Sequence, residues 1–158
     1  MLAKKATGYK RPMRLFLDMC SIQRPLDDRT QPRIAVEAEA VLIVLSLCEK
    51  GSVELVVSRS LQFEMERNPH PLRKEYAAHV LGKGTVFIER TTDVDERTRQ
   101  LHKAGIKPLD AAHLAAAVQA KVDFFCTCDD RLLRRARTID TLGTQVVTPL
   151  QLVAEMTK

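Results

Sequence analysis

The stretch Met13-Arg14-Leu15-Phe16-Leu17-Asp18 is an apolar run that ends at a carboxylate. Two later stretches have the same form: Lys107-Pro108-Leu109 leads into Asp110, and Phe124-Phe125-Cys126-Thr127-Cys128 leads into Asp129 and Asp130. In open α/β folds the carboxyl ends of the strands line one edge of the sheet, where ligands bind. Each acid is therefore a candidate helix cap or a candidate functional residue. Because the strand ends share one edge of the sheet, the acids are also candidates to lie close together.

Length and composition indicate one domain with a core of its own. The chain has 158 residues, of which 45% are hydrophobic, and a chain of this size buries enough surface to fold without disulfides. We expect residues 1–12 to form a flexible basic leader and residues 13–158 to form a single domain. No apolar run reaches the roughly 18 residues of a membrane helix, and no secretory signal is evident, so we expect a cytoplasmic protein.

The cysteines and the basic residues narrow the class of protein further. The four cysteines form no C-x-x-C pair, and their spacing does not match that of zinc ligands. We therefore expect them to be small buried side chains in a reducing compartment. The net charge is +5, with arginines clustered at 131–137 and basic residues at 4–14. Such clusters suit a polyanionic partner, although a solvated helix face and a basic leader are the favoured explanation when the charge runs are taken alone.

Strand-like and helix-like segments alternate along the chain. The sequence predicts strands at 13–17, 53–57, 85–89, 123–127 and 145–148, and helices at 33–50, about 60–67, about 71–81, about 94–103, 109–120 and from 148 onward. Alternation of this kind predicts βαβ crossovers and a mostly parallel sheet covered on both faces. No repeat and no second domain is evident.

Each acid has an ordinary explanation when it is taken singly. Asp18 could be a turn aspartate that binds its own backbone, Asp110 and one of Asp129 and Asp130 could cap helices, and Glu64 could be an exposed helical glutamate. Together, however, they come from separate crossovers onto one edge of a sheet. Clustered carboxylates repel one another, and a hard divalent cation relieves that repulsion, so Mg²⁺ or Mn²⁺ is the expected companion.

The order of these motifs resembles that of the PIN-domain nucleases, and more closely the VapC-like toxin group of bacteria. The resemblance covers about 13–137 and is carried by the following segments: Phe-Leu-Asp ending at Asp18, Ser58-x-x-x-x-x-Glu64, Leu-Asp-Ala-Ala-His-Leu-Ala at 109–115, and Thr-Cys-Asp-Asp-Arg-Leu-Leu at 127–133. It implies a PIN-like three-layer α/β/α sandwich with a central parallel sheet of about five strands. Members of the family typically cut RNA.

The resemblance also implies roles for individual residues. Asp18, Glu64, Asp110 and Asp129 match the acidic quartet, which would bind Mg²⁺ or Mn²⁺ and activate a water that attacks the scissile phosphorus. The expected products carry 5′-phosphate and 3′-hydroxyl ends. Thr127 and Asp130 are candidate supporting residues. The candidate RNA-binding residues are Arg24, Arg59, Arg131 and Arg134.

Some features depart from the family pattern or leave alternatives open. The segment 24–32 makes a longer loop after the first strand than many small relatives have. Glu37 and Glu39 compete with Glu64 for the second acidic position, although charge facing solvent is the simpler account of both. His113 lies three residues after Asp110 and could reach the pocket, but packing between helices is the more ordinary role.

The sequence therefore predicts a metal-dependent endoribonuclease that hydrolyses phosphodiester bonds of single-stranded or structured RNA. An antitoxin protein and a homodimer are partners that only the resemblance implies, and RNA versus DNA stays open. The rival is a PIN-fold module that binds RNA or a protein without cutting. A dehalogenase-like phosphatase is disfavoured because Cys20 stands where it needs a second aspartate, and no glycine-rich turn indicates a dinucleotide site.

Overall fold

In the computed structural model, which describes residues 11–158, five parallel strands form one sheet. The strands are β1 (Arg14–Leu17), β2 (Glu54–Ser58), β3 (Val86–Ile88), β4 (Phe124–Cys126) and β5 (Gln145–Val147). Their order across the sheet is β3-β2-β1-β4-β5, so β1 lies in the centre. The predicted parallel sheet of about five strands is confirmed.

Within residues 11–158, eight helices connect the strands and cover the sheet. They are α1 (Met19–Gln23), α2 (Pro32–Glu49), α3 (Arg59–Glu66), α4 (Pro71–Leu81), α5 (Thr92–Lys103), α6 (Pro108–Gln119), α7 (Asp130–Ala136) and α8 (Pro149–Met156), with a 3-10 turn at Arg24–Leu26. Helix α2 packs against α8, and α5 packs against α6. The α/β sandwich expected from the sequence is therefore present.

The core is centred on the two inner strands. Leu15 and Phe16 of β1 and Phe125 of β4 are fully buried, and the Phe16 and Phe125 rings stack with centroids 5.1 Å apart. Burying a side chain of this size contributes about 1.5–3 kcal/mol. Because β1 and β4 are buried from both sides, they read as continuous apolar runs, and whatever follows them emerges at the same edge of the sheet.

Three local features differ from the sequence-based expectations. The loop predicted at 24–32 begins with the 3-10 turn, and helix α1, which was not predicted, lies between β1 and that loop; both are too short to show a helical period in the sequence. Strand β3 has three residues where five were predicted. Of the predicted leader, residues 1–10 lie outside the described residues, and Arg11 forms an ion pair with Asp123 at 3.1 Å.

Candidate active site

Four carboxylates line one cavity of about 170 Å³ at the carboxyl edge of the sheet. Asp18 follows β1, Glu64 lies on α3, Asp110 lies in the first turn of α6, and Asp129 follows β4. We call this space the acidic cavity. The remaining residues that line it are Met19, Cys20, Arg24, His113 and Cys128.

Asp18 is both a helix cap and a wall of the acidic cavity. Its Oδ1 accepts a hydrogen bond from the Ser21 backbone N–H at 3.1 Å, which caps α1, and the Cys20 thiol donates to the same oxygen. The residue is only 4% exposed. Burial raises the pKa of the Asp18 carboxyl, and hydrogen bonds from Thr127, Cys20 and Ser21 oppose the shift. Capping and a role in the cavity therefore do not exclude each other.

Asp110 is not the helix cap that its position after Pro108 suggested. The N-cap of α6 is Lys107, and the Asp110 side chain forms no hydrogen bond with any residue from 11 to 158. Burial raises the pKa of Asp110, as do the charges of Asp18, Asp129 and Glu64, while His113 lowers it. The carboxylate thus lies within electrostatic reach of the other three acids, and no donor among residues 11–158 stabilises its charge.

Asp129 caps α7, and Thr127 holds the turn that presents it. Asp129 Oδ1 accepts hydrogen bonds from the backbone N–H groups of Arg131 at 2.9 Å and Leu132 at 3.3 Å. The Asp129 backbone N–H donates to Thr127 Oγ1 at 3.0 Å. Asp130 does not line the acidic cavity, because it pairs with Arg33 at 2.8 Å outside it. That ion pair lowers the pKa of Asp130.

A chain of hydrogen bonds leads from Glu64 into the core. Glu64 Oε1 lies 2.7 Å from His113 Nε2, and His113 Nδ1 lies 2.8 Å from Ser60 Oγ. Ser60 in turn contacts Ser58 Oγ at 2.9 Å. His113 is 1% exposed and packs beside the Phe16 ring. The imidazole therefore has both roles that its spacing from Asp110 allowed: it packs between elements and it borders the cavity.

The two competing glutamates of α2 lie outside the acidic cavity. Glu39 is exposed, as expected. Glu37 is only 3% exposed, so the expectation that it faces solvent is wrong. Its carboxylate pairs with Arg24 at 3.0 Å and with Arg33 at 3.3 Å. A buried glutamate needs cations to pair with its charge. Arg33 lies four residues before Glu37 on α2, as the helical spacing shows, but Arg24 lies outside α2 and leaves no sign in that spacing.

The candidate RNA-binding arginines lie in three different places. Arg24 lines the acidic cavity but is paired with Asp27 and Glu37. Arg59 pairs with Glu89 at 3.0 Å and lies over the Phe87 ring. The other two, Arg131 and Arg134, line a second cavity beside the first.

Sequence reasoning missed the two thiols at the acidic cavity. Cys20 is exposed and Cys128 is buried, and both line the cavity, so the expectation that every cysteine is a buried apolar side chain is wrong for Cys20. A hydrogen bond with Cys128, burial and the charge of Asp18 raise the pKa of the Cys20 thiol. Cys20 therefore remains protonated at neutral pH and donates to Asp18.

The donor set of the acidic cavity fits a hard divalent cation in its chemistry. Four carboxylates supply oxygen ligands, which Mg²⁺ and Mn²⁺ prefer, and a cation would relieve the mutual repulsion felt at Asp110. As the side chains stand in residues 11–158, no group of three or more His, Cys, Asp and Glu is arranged to hold a metal ion. Asp18, Asp129 and Glu64 each have one oxygen hydrogen-bonded to a protein group.

No helix among residues 11–158 is long and apolar enough to cross a membrane.

Two solved structures share the fold of this chain. The PAE2754 protein of Pyrobaculum aerophilum is 15% identical over 92% of this chain and 90% of its own, with a TM-score of 0.57. The VapBC2 structure from Rickettsia felis, bound to a DNA fragment from their promoter, is 10% identical over 85% of this chain and 98% of its own, with a TM-score of 0.57. No protein-family model and no curated protein matches the sequence. The predicted PIN-like fold is confirmed by these likenesses.

Proposed function

We propose that this PIN-like protein is a metal-dependent endoribonuclease that hydrolyses phosphodiester bonds of single-stranded or structured RNA. One observation carries the proposal: four carboxylates from four separate segments line a single cavity at the edge of the sheet where α/β folds bind ligands. Hydrolysis of a phosphodiester needs an activated water and neutralisation of phosphate charge. A cation held by carboxylates supplies both.

The residues of the acidic cavity have different roles in the proposed reaction. Asp18, Asp110 and Asp129 would hold Mg²⁺ or Mn²⁺, which when bound lowers the pKa of water and neutralises phosphate oxygens. Glu64 would complete this set or orient the attacking water, because His113 fixes its carboxylate at 2.7 Å. Thr127 supports Asp129 through its hydroxyl.

The alternative function is a PIN-fold module that binds RNA or a protein without cutting. Binding alone does not call for an unsatisfied, partly buried Asp110 beside three further acids, which is an arrangement that raises the free energy of the metal-free protein. Catalysis is therefore favoured. The likeness to the VapBC2 structure supports an antitoxin protein as a partner, with this chain as the toxin, and a homodimer is a further proposal. An antitoxin gene directly upstream would support that assignment.

RNA cleavage by the purified full-length protein tests the nuclease proposal. Single-stranded and hairpin RNAs are incubated with Mn²⁺ or Mg²⁺, with DNA of the same sequence in parallel. We expect Asp18→Asn and Asp110→Asn to lower kcat/KM at least about 100-fold, the scale on which loss of a group that acts in the transition state is felt. Glu39→Gln, which changes an exposed glutamate, is the matched control and should cleave as the wild type does.

Two outcomes would contradict the proposal. Cleavage undiminished in Asp18→Asn would show that a contaminating nuclease or another site is responsible. RNA binding without cleavage in either metal would establish the non-catalytic module instead. Calorimetric titration of Mn²⁺ gives a readout independent of activity, and binding should be lost in Asp110→Asn but kept in Glu39→Gln.

A further inference from the structure

A second cavity, of about 320 Å³, adjoins the acidic cavity and shares Asp110 and Asp129 with it. Its other walls are strongly basic. The cations that line it are Lys107, Arg131, Arg134 and Arg135. We call this space the basic cavity. Sequence reasoning pointed to Arg131 and Arg134, but it did not place Lys107 and Arg135 beside them.

The cations of the basic cavity have no acidic partner among residues 11–158 and line a single cavity. Arg29, Arg67, Arg97 and Arg137 also form no ion pair in that range, but none of them lines this cavity. Among residues 11–158, none of the four forms an ion pair, and none of their side chains donates a hydrogen bond to a protein acceptor. Eight other arginines do form ion pairs: Arg11, Arg14, Arg24, Arg33, Arg59, Arg73, Arg90 and Arg99. Like charges gathered in one cavity repel each other unless an anion joins them.

Local structure accounts for the convergence of these cations. Arg131, Arg134 and Arg135 are spaced i, i+3 and i+4 on α7, so they project from one face of the helix. Lys107 is the N-cap of α6, across the cavity. Gly105 has φ +107°, and a Cβ there would lie 3.1 Å from Arg135 Nε. The absence of a side chain at Gly105 lets the Arg135 guanidinium lie against the backbone.

The two cavities together match the charge pattern of a cleaved strand. A phosphate at the acidic cavity needs a cation before it can approach four carboxylates, whereas a neighbouring phosphate has four unpaired cations within the same open space. Guanidinium groups bind phosphate oxygens by paired hydrogen bonds. The ligand class is therefore a phosphodiester anion, and such contacts carry no base preference.

From this juxtaposition we infer that the basic cavity binds a phosphate that flanks the scissile phosphate on the same RNA strand. The inference rests on the proposed nuclease function, and it assigns the path of the strand across α7. Arg24 and Arg59 contribute little to this path, because ion pairs already occupy them.

Binding measured without cleavage tests the basic cavity separately from catalysis. A fluorescently labelled single-stranded RNA is titrated with the full chain in EDTA at several salt concentrations, and anisotropy gives Kd. Arg134→Gln/Arg135→Gln should weaken binding and reduce the slope of log K against log salt by roughly 0.7, because one lost phosphate contact on a single strand contributes about that much. Arg134→Lys/Arg135→Lys keeps the charge and should retain the slope.

The matched control is Arg90→Gln/Arg99→Gln, which removes two arginines that are ion-paired elsewhere; it should leave Kd and slope unchanged. Circular dichroism checks that each variant folds, and a Gln variant that unfolds is replaced by the single Arg134→Gln. An unchanged slope in the folded Gln variants overturns the inference, as does absence of RNA binding by the wild type in EDTA. Failure of the wild type to cleave with Mn²⁺ overturns only the proposed nuclease.

Discussion

At the scale of single residues, Asp18 shows how one carboxylate serves the fold and the site together. It caps α1 through Ser21 while its buried charge faces three other acids. Burying that charge destabilises the protein, because burial raises the pKa of Asp18. An asparagine at this position would keep an oxygen for the cap and remove the charge.

We therefore predict that Asp18→Asn stabilises the metal-free protein at neutral pH. Over a pH range above 3.8, Asp18 is protonated in the native state but ionised in the unfolded chain. Wild-type stability consequently falls as pH rises through that window, and the variant lacks this loss. The difference in thermal midpoint between variant and wild type should be near zero at low pH and grow toward pH 7 in EDTA.

Asp28→Asn is the control of opposite sign. Asp28 is exposed and accepts hydrogen bonds from Thr30, which lower its pKa. Its stabilising contribution is present at neutral pH and is lost on acidification, so the variant should be slightly less stable than wild type near pH 7 and should approach it in acid. An Asp18→Asn midpoint equal to wild type at every pH would contradict the assignment of a costly buried charge.

Single residues also show which features of the site were predictable from the sequence and which were not. Asp18 and Asp129 were predictable because they come after the apolar runs of β1 and β4, and strand ends in a parallel sheet meet at one edge. Asp110 also follows an apolar run, but it lies in the first turn of α6 and not at a strand end. The burial of Glu37 was not predictable, since it depends on Arg24 as well as on Arg33, and only Arg33 is a helical neighbour of Glu37. Long-range pairing leaves no period in the sequence.

At the scale of elements, the N-terminus of α3 ties helix stability to the acidic cavity. Ser58 Oγ accepts the Leu61 backbone N–H at 3.0 Å and contacts Ser60 Oγ, and Ser60 contacts His113, which holds Glu64. The first and last members of this chain of contacts, Ser58 and Glu64, are the ones that the motif Ser58-x-x-x-x-x-Glu64 picks out. The two middle members are visible only in the fold.

We predict that Ser58→Ala lowers the free energy of unfolding by about 1 kcal/mol, the typical cost of losing a cap. It should also lower kcat about 10-fold, because the groups behind a catalytic residue typically matter by 10- to 100-fold. Chemical denaturation and RNA cleavage measure the two effects.

Thr91→Ala removes the equivalent cap of α5, where Thr91 Oγ1 accepts the Val94 N–H at 3.2 Å. Helix α5 carries none of the four acids. This variant should lose similar stability with kcat unchanged. Equal losses of activity in the two variants would indicate a general effect of destabilisation and would contradict the role given to Ser58.

Element boundaries were predicted well where the apolar runs are long and poorly where they are short. The helix predicted at 33–50 is α2, which begins one residue earlier at Pro32. The five-residue α1 was missed, and with it the exposure of Cys20 at the acidic cavity. A helix of little more than one turn is stabilised by its cap and its packing rather than by its own propensity.

At the scale of the whole molecule, the strand order divides the chain into two halves that meet at β1 and β4. The first half supplies β1, β2 and β3 with Asp18 and Glu64, and the second supplies β4 and β5 with Asp110 and Asp129. The stacked rings of Phe16 and Phe125 lie on this junction. Neither half can bury its own share of the core.

We predict that fragments 1–90 and 91–158 are each inactive and poorly folded, and that mixing them restores RNA cleavage in part. The cut lies between β3 and α5, outside every regular element. Circular dichroism of each fragment and of the mixture reports folding independently of activity. Cooperative thermal unfolding of either fragment by itself would contradict this view of the core.

The order of the acids along the chain also determines when the acidic cavity can form during synthesis. Asp18 and Glu64 leave the ribosome early, but the central strand β1 waits for β4, which begins at residue 124. At roughly 5–20 residues per second, roughly 6 to 22 seconds separate the synthesis of Asp18 from that of Asp129. A growing chain that has not yet reached Asp129 therefore has no complete acidic cavity, and the four carboxylates come together only after β4 has been made.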